Sequence, residues 1–257
     1  MNTNDGGSPN AASLDGKAVL VTGAAKRLGA GIATQLHDAG MSIAVHYRDS
    51  SEDAIALCEE LNSKRANSAS YHQCDLADTQ SLAGLVDDVV RQHGGLHALV
   101  NNASSFYPTE FGATSEEAWD DLMASNAKAP FFLAQAAAPW LAASKGCIVN
   151  MVDTYGIRPL SHHPVYSAAK AALIMLTHAL ALELTPTVRV NGIAPGAVLA
   201  PVGLTPSQAP AIPANTPMAR WGSSPEIADA VLYLVRDATF TTGAILPVDG
   251  GRLIAGF

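Results

Sequence analysis

From Lys17 onward the chain alternates short apolar runs with longer helical patterns, and this alternation constrains its fold more than any other feature. The apolar runs predict strands, and the residues between them show the spacing of amphipathic helices. The pattern predicts seven strands, typical examples being AVLVT, SIAVHY, ALVN, CIVNMV and AILPVDG. Several of these runs are almost continuously apolar, which favours a parallel sheet covered by helices on both faces. We therefore predict an α/β fold with a doubly wound, mostly parallel sheet.

Nothing in the 257-residue sequence divides it into two domains, since it contains no interdomain linker and no internal repeat. We predict a flexible tail over residues 1–14 and a single domain over residues 15–257. Residues 197–217 contain five prolines and no charged side chain, so they cannot form a regular helix or a central strand. Because this segment follows a predicted strand, we expect it to be a substrate loop.

Composition and charge exclude several classes of function. Lys and Arg number 15 against 23 Asp and Glu, a formal net charge of −8, whereas nucleic-acid binding needs clustered cations. Three cysteines without CxxC spacing favour reduced thiols in the cytoplasm, and no metal site is expected. The first residues lack the charged and apolar regions of a secretion signal. The apolar run 171–184 contains His178 and Glu183 and is short for a bilayer span, so we predict a buried helix and no membrane partner.

A glycine-containing turn, from Thr22 to Gly29, follows the first predicted strand and leads into a helix. Glycines let the backbone approach a pyrophosphate, and a helix N-terminus offers unpaired N–H groups and a positive potential. Such a turn can be an ordinary connection, but its place at the first strand of a repeated β-α pattern favours dinucleotide binding. The pattern thus predicts a Rossmann-type site at the carboxyl ends of the strands.

This turn resembles the TGxxxGxG fingerprint of the short-chain dehydrogenase/reductase family, with Arg27 in place of the middle glycine. An arginine there can hold the cofactor pyrophosphate or an anionic edge of the substrate. Asp75 resembles the family's adenine-contacting acid, although its residue type equally predicts a helix N-cap. The run Asn102-Ala103-Ser104 is similar to the end of the family's NNAG motif, with serine replacing glycine.

The end of the second predicted strand bears on the choice of cofactor. NAD enzymes usually place a carboxylate about 20 residues after the glycine turn, where it binds the ribose 2′-hydroxyl. Here Arg48 and Ser50 favour the 2′-phosphate of NADPH, whereas Asp49 keeps NADH as an alternative. Together with the positions implied by the family, the predicted cofactor-binding residues are Gly23, Arg27, Leu28, Gly29, His46, Tyr47, Arg48, Ser50, Asp75, Leu76, Asn102, Ala103, Ser104, Tyr166, Lys170, Pro195 and Gly196.

Tyr166 and Lys170 lie four residues apart in a helix predicted to begin near Pro164, so they share one face. A phenol with a pKa of about 10 is a poor acid or base at neutral pH unless a nearby ammonium stabilises its phenolate. Lys170 would supply that charge. The pair matches the family's YxxxK motif, in which the lysine also binds the nicotinamide ribose, and Asn126 resembles the residue that holds a proton-relay water in that family.

Asp153 stands 13 residues before Tyr166, where the family usually has an active-site serine. A serine helps to polarise a carbonyl, whereas a carboxyl group can donate a proton or pair with a nitrogen-rich ring. The simpler interpretation is an aspartate that caps a loop. Asp153, Arg27 and the run NNASSFYP together resemble the pteridine reductases of this family, over about residues 17–252.

This resemblance implies hydride transfer from NADPH to a C=N bond of a pterin or folate. Asp153 or Tyr166, directly or through water, would protonate the ring nitrogen, and the aromatic ring of Phe106 would stack on the pterin. The substrate would contact Arg27, Ser104, Phe106, Asp153 and Tyr166.

Two other functions stay open on the sequence alone. One is an NADPH carbonyl reductase for a ketone such as a 3-oxoacyl thioester or a sugar, and the other is a protein that senses the cofactor without turnover. Tyr107, His162 and His163 are candidates for the walls of the pocket, but the two histidines are left outside the predicted site because lone histidines are more often surface residues. The resemblance also implies a homotetramer.

Overall fold

The computed structural model describes residues 13–198 and 215–255. In these residues seven strands form one sheet: β1 Ala18–Val21, β2 Ser42–Tyr47, β3 Ala69–Gln73, β4 Ala98–Asn101, β5 Cys147–Met151, β6 Arg189–Pro195 and β7 Ile245–Val248. Their order across the sheet is β3-β2-β1-β4-β5-β6-β7, and all neighbouring pairs are parallel. The predicted single-domain, doubly wound α/β fold is confirmed, with a sheet that is parallel throughout.

The described part of the chain contains seven α-helices: α1 Arg27–Asp38, α2 Ser51–Lys64, α3 Leu82–His93, α4 Glu116–Met123, α5 Ala129–Ser144, α6 Pro164–Leu184 and α7 Ser224–Arg236. A π-helical segment, Ala124–Lys128, joins α4 to α5, and a 3₁₀ turn, Thr154–Gly156, follows β5. The helical region predicted between residues 115 and 144 is therefore present but changes its hydrogen-bond register in the middle.

Helices cover both faces of the sheet because successive residues of each buried strand point to opposite sides. Val19 and Val21 of β1 belong to a core cluster that includes side chains of α1, α2 and α7. Leu20, between them, belongs to a second cluster with side chains of α3, α5 and α6. This explains the continuously apolar strands, since no strand position in the centre of the sheet faces water.

Within the sheet, β2 and β3 lie on one side of β1, and β4 lies on its other side. The strand order reverses between β1 and β4, and the loops after these two strands separate to form a crevice. Because the sheet is parallel, the residues that follow all its strands collect at the same edge.

Helix α6 is longer than the apolar run at 171–184 suggested, and with 21 residues it is long and apolar enough to cross a membrane. Its side chains Leu173, Thr177 and Ala181 are buried within the fold. Lys170 is also buried, in the second turn of the helix. These contacts make α6 a core helix of the sheet's second face, as predicted.

The boundary between the predicted tail and the domain is slightly wrong, because Leu14 is buried and belongs to the first core cluster. The backbone N–H of Lys17 donates to the carbonyl of Leu14, 3.1 Å away, so the ordered domain includes this residue. Residues 1–12 of the predicted tail lie outside the described residues, as does most of the predicted substrate loop, whose description resumes at Asn215.

Candidate active site

A cleft of about 840 Å³ lies at the carboxyl ends of the strands, next to the switch point between β1 and β4. Its volume is in the upper part of the range for cofactor and ligand pockets. Nineteen of the twenty residues predicted from the sequence for cofactor, substrate or catalysis line this one cleft, namely Gly23, Arg27, Leu28, Gly29, His46, Tyr47, Arg48, Ser50, Asp75, Leu76, Asn102, Ala103, Ser104, Phe106, Asp153, Tyr166, Lys170, Pro195 and Gly196. The remaining one, Asn126, lies behind the cleft wall.

The glycine turn after β1 brings backbone groups to the cleft floor. Gly23 has a φ of 60°, which favours glycine, and a Cβ on Gly29 would lie only 2.1 Å from the carbonyl oxygen of Gly23. Arg27 adopts a φ of 54° at the start of α1, where the family fingerprint has glycine. Its guanidinium forms no hydrogen bond or ion pair with any described residue. Lys26, the N-cap, provides no side-chain cap, so the first N–H groups of α1 remain open to a phosphate.

The motif after β4 holds this turn in place. The hydroxyl of Thr22 accepts from the backbone N–H groups of Asn102 and Ala103, at 2.9 and 3.0 Å. In return, the side-chain amide of Asn102 donates to the carbonyls of Thr22 and Gly23, at 2.9 and 3.1 Å. The two loops that border the crevice are therefore connected by four hydrogen bonds, which fix its shape.

His46, at the end of β2, also holds the glycine turn in place, and its side chain is almost wholly buried. The N–H of Gly23 donates to its Nδ1 at 3.1 Å, so Nε2 carries the hydrogen and donates to the carbonyl of Cys74 at 3.0 Å. Burial lowers the pKa of His46 from 6.5 to about 4, because the charged imidazolium would lose its hydration. The neutral ring thus ties the glycine turn to the end of β3.

This burial predicts a pH-dependent stability. A histidine whose pKa is lower in the folded chain binds its proton more readily after unfolding, so stability present above about pH 6.5 is lost as the pH falls toward about 4. We expect the free energy of unfolding to decrease by up to about 3 kcal/mol over that range from His46 alone.

Urea unfolding at several pH values checks this expectation. In His46→Asn the amide oxygen can still accept from Gly23, but the side chain does not titrate, so the pH dependence should be shallower than in the parent. His162→Asn, at a position with an exposed side chain, is the matched control and should keep the parent's slope. Equal slopes in the parent and His46→Asn would contradict the expectation.

The outer end of the cleft, after β2, carries several charged groups. Arg48 is exposed and its Nε donates to the carboxylate of Asp49 at 2.8 Å. Lys26 forms an ion pair with Asp53 at 2.7 Å. Asp75 accepts from the N–H of Ala77 in a turn, and α3 begins only at Leu82, so the alternative of a helix N-cap at Asp75 is wrong.

Asp153 and Tyr166 meet on the opposite side of the switch point. The hydroxyl of Tyr166 donates to Oδ2 of Asp153 at 2.7 Å. Oδ1 of the same carboxylate accepts from the backbone N–H of Tyr155 at 2.8 Å and so caps the 3₁₀ turn. The simpler interpretation of Asp153, a loop cap, therefore describes one of its oxygens, while the other accepts from Tyr166, and its role in catalysis stays a prediction. The cap orients the oxygen that faces Tyr166.

The electrostatics of this pair differ from the simple expectation of a tyrosine activated by lysine. Burial raises the pKa of Tyr166, and the negative charge of Asp153 raises it further, while the hydroxyl of Ser104 acts in the opposite direction. Lys170 Nζ lies 5.7 Å from the centre of the Tyr166 ring and donates to the carbonyl of Met151 at 2.8 Å. Burial of the Lys170 ammonium lowers the pKa of this side chain from 10.5 to about 8. Tyr166 is thus neutral at physiological pH, with its proton directed at Asp153.

Asn126 supports the cleft wall from behind. It is fully buried in the π-helical segment, where its Nδ2 donates to the carbonyls of Ser105 and Leu122, both at 3.0 Å. Its Oδ1 accepts from the hydroxyl of Ser104 at 2.7 Å. Asn126 therefore orients Ser104, which in turn lines the cleft beside Tyr166. Its role as holder of a relay water stays a prediction.

Phe106 forms an aromatic wall, with 55% of its side chain exposed in the cleft. Its ring packs edge-on against Tyr166, with centroids 4.8 Å apart, and lies nearly parallel to His163 at the same distance. The sequence alone places His163 outside the site because lone histidines are more often surface residues. The structure shows that it is the stacking partner of Phe106.

Several other residues that line the cleft were not predicted from the sequence. Tyr155, Asp121, Trp221 and Arg252 all line the cleft, although they lie in segments without a recognised motif. Arg252 follows β7, and the rule that functional residues follow parallel strands could have identified it. A guanidinium contact with the ring of Tyr155, at 5.4 Å, joins two segments that are 97 positions apart in the chain.

A parallel sheet with a glycine turn after β1, an open helix N-terminus beside it and a tyrosine–lysine pair across the crevice fits a nicotinamide cofactor. The comparisons with known proteins agree. A family model described as enoyl-(acyl carrier protein) reductase matches residues 23–252. Together these features define a nicotinamide-dependent oxidoreductase, and the chain belongs to the short-chain dehydrogenase/reductase family.

Its curated relatives catalyse different reactions. Pteridine reductase 1 of Leishmania tarentolae is 37% identical over 90% of this chain and 94% of its own length. The 3-oxoacyl-[acyl-carrier-protein] reductase FabG of Staphylococcus aureus strain N315 is 34% identical over 91% of this chain and 97% of its own. Glucose 1-dehydrogenase of Gluconobacter oxydans is 33% identical over 94% of this chain and 93% of its own. The choice among such substrates therefore depends on the site itself.

Proposed function

We propose that this protein is an NADPH-dependent pteridine reductase that reduces a C=N bond of a dihydropterin or dihydrofolate. The observation that carries the proposal is the hydrogen bond from the Tyr166 hydroxyl to Oδ2 of Asp153, 2.7 Å long, with the exposed ring of Phe106 beside it. A carboxylate at this place suits a ring with several nitrogen atoms, because it can accept from ring N–H and amino groups. The similarity to a pteridine reductase over most of the chain supports the same conclusion.

Phe106 gives the flat ring of a pterin a stacking surface. An aromatic face attracts a flat heterocycle by offset stacking, and such pairs contribute about 1 kcal/mol beyond the area that they bury. Arg27 then offers donors to the oxo group of the pterin or to the cofactor, and the hydroxyl oxygen of Ser104, whose hydrogen goes to Asn126, can accept a hydrogen bond from either. A ring held against Phe106 lies next to Tyr166, whose ring edge contacts Phe106.

The reaction adds two electrons and two hydrogens across the C=N bond, and NADPH supplies one hydrogen as hydride. The other is a proton, which passes from the hydroxyl of Tyr166 to the ring nitrogen as the new N–H bond forms. The nitrogen that has gained the electron pair is a much stronger base than a phenolate, so the raised pKa of Tyr166 does not prevent this step. The ammonium of Lys170 stabilises the negative charge that then remains on Tyr166 and Asp153.

We propose NADPH as the cofactor because Arg48 and Ser50 line the cleft after β2. In Arg48→Ala the loss of the guanidinium should weaken binding of a 2′-phosphate, and we expect the ratio of kcat/KM for NADPH to that for NADH to fall by about tenfold or more. Steady-state kinetics with both cofactors measure this ratio. Arg91→Ala, which removes an exposed arginine ion-paired to Asp88 on α3, is the control. An unchanged cofactor ratio in Arg48→Ala would reject the role of this residue.

The proposed activity is tested by oxidation of NADPH with dihydrobiopterin, dihydromonapterin, dihydrofolate and an acetoacetyl thioester in parallel. We expect turnover of at least one pterin or folate with a kcat/KM well above that for the thioester. Turnover confined to the thioester would replace the proposal with a 3-oxoacyl reductase, the reaction named for the staphylococcal relatives. The absence of turnover with all four would leave a protein that binds the cofactor without reducing these substrates.

We further propose that the protein acts in the cytoplasm as a homotetramer. Helices α5 and α6 present large apolar side chains to solvent, with Trp140, Met175 and Leu182 exposed by 40%, 64% and 80%. Exposed large apolar side chains can mark subunit contacts. Analytical ultracentrifugation would give the mass of the assembly.

A further inference from the structure

The cleft contains two arginines that no acidic side chain neutralises. Arg48 and Lys26 have carboxylate partners, whereas Arg27 and Arg252 form no ion pair with any described residue. Arg27 lies at the N-terminus of α1, where a phosphate of the cofactor explains it. Arg252 lies four residues beyond β7, on the half of the sheet away from the glycine turn, and the cofactor phosphates do not explain it.

Arg252 is held in a defined position by the loop around it. The carboxylate of Asp249 accepts from the N–H of Gly251 at 2.9 Å through one oxygen and from the N–H of Leu253 at 2.7 Å through the other. The N–H of Arg252 itself donates to the carbonyl of Asp249 at 3.3 Å. Both carboxylate oxygens of Asp249 therefore accept from the backbone, and among the described residues no carboxylate forms an ion pair with the guanidinium of Arg252.

The guanidinium faces Tyr155 in the cleft. Its Nη2 donates to the Tyr155 hydroxyl at 3.1 Å, and its central carbon lies 5.4 Å from the centre of the same ring. Because this hydroxyl accepts from Arg252, its own hydrogen remains available to a ligand. The nearby carboxylate of Asp153 already accepts from Tyr155 N–H and from Tyr166. Two donors, one of them charged, thus adjoin the place where the reaction occurs.

We propose that Arg252 and the Tyr155 hydroxyl form an anion-binding subsite for the side chain of the substrate, and that the preferred substrates are pterins whose side chain carries an anionic group. This inference rests on the proposed pterin reduction. The planar guanidinium binds a carboxylate or a phosphate through two parallel hydrogen bonds, and the tyrosine hydroxyl adds a third. Both anions occur on pterin derivatives, as the glutamate carboxylates of a folate and as a phosphate ester of the pterin side chain.

The subsite lies close to the place proposed for the pterin ring. Phe106 and Asp153 hold the ring in the proposed function, and Tyr155 is two residues beyond Asp153 along the 3₁₀ turn. Tyr155 and Arg252 line the same cleft as Phe106 and Asp153, so they are open to a side chain that extends from the ring. The protein has a formal net charge of −8, so a guanidinium in the cleft that has no carboxylate partner among the described residues needs an explanation.

Steady-state kinetics test the proposal with three substrates: neutral dihydrobiopterin, dihydrofolate as the carboxylate and 7,8-dihydroneopterin phosphate as the phosphate ester. In the parent, kcat/KM should be higher for at least one anionic substrate than for dihydrobiopterin. In Arg252→Met this ratio should fall by about tenfold or more, mainly through KM, since one charge-assisted pair is lost. The substrate whose ratio falls further identifies the preferred anion.

Arg252→Lys keeps the charge but not the planar fork, and we expect it to restore part of the ratio. Tyr155→Phe keeps Arg252 and removes one donor, so its effect should be smaller. Arg91→Met is the matched control on the outer surface and should keep the parent ratio. An unchanged ratio in Arg252→Met would overturn the subsite, as would a parent that favours the neutral pterin.

Calorimetry separates this inference from the proposed function. Folate and biopterin are titrated into the complex with NADP⁺, for the parent and for Arg252→Met. If the parent reduces no pterin, the proposed function fails, but binding of folate that weakens by about tenfold or more in the variant still supports the anion subsite. Folate that does not bind the parent, or binds both proteins equally, overturns it. If Arg252→Met does not fold, Arg252→Lys and Tyr155→Phe decide by the same criteria.

Discussion

Replacing Tyr166 by phenylalanine is expected to lower kcat for pterin reduction by about a thousandfold, the range of a lost general acid. The variant keeps the ring that contacts Phe106 but lacks the only atom that donates to Asp153 Oδ2 in the described residues. Binding should be far less affected, because the aromatic wall remains. Stopped-flow measurement of hydride transfer and fluorescence titration with NADPH separate the two effects.

Tyr233→Phe is the matched control, since this tyrosine lies half exposed on α7, away from the cleft. It should retain the parent rate. If Tyr166→Phe reduced pterins at a rate within tenfold of the parent, the proton would come from another group, and Asp153 or a bound water would take the place assigned to Tyr166.

Replacing Asp153 by serine is expected to lower kcat/KM for the preferred pterin by about a hundredfold, the effect of losing a charged hydrogen-bond partner and a member of the proton-holding pair. Serine is also a good N-cap, so it can keep the hydrogen bond to Tyr155 N–H and preserve the 3₁₀ turn. The substitution therefore removes the charge with little disturbance of the loop. Loss of that charge should also lower the pKa of Tyr166, because Asp153 contributes to raising it.

Parallel assays with a pterin and an acetoacetyl thioester measure the change, and we expect the ratio between them to shift toward the thioester. Asp78→Ser is a suitable control, because Asp78 also accepts a backbone N–H, that of Gln80, in a turn outside the cleft. It should leave both activities unchanged. A pterin rate unaffected by Asp153→Ser would show that the carboxylate serves only the loop, which is the simpler interpretation considered from the sequence.

The sequence predicted the fold and the location of the cleft well, for a physical reason. Alternating apolar runs and helical segments leave few topologies, and parallel strands bring every following loop to one edge. Residues as distant as Gly23, Asp153 and Gly196 therefore meet in one cleft without any signal in the sequence that links them directly. The division of the helical region by a π-helical segment was not predictable, because it depends on how Asn126 packs in the interior.

The electrostatics and the aromatic contacts of the site needed the structure. A YxxxK pattern predicts an ammonium near a phenol, but only three-dimensional geometry shows that Asp153 is the direct partner of Tyr166 and that Lys170 is 5.7 Å from the ring. The stacking of His163 on Phe106 joins two loops separated by 57 positions in the chain, and neither loop has a period that reveals the contact. Arg252 likewise becomes informative only when the structure shows that, among the described residues, no carboxylate forms an ion pair with it.

The backbone at Arg27 adopts a conformation that suits glycine better than arginine. At a φ of 54° glycine would rest without strain, whereas an arginine costs about 1 kcal/mol of folding stability. Glycine at position 27 would relieve this strain but would remove the guanidinium from the cleft, so the chain accepts a local strain at the first turn of α1 together with a cation in the cleft.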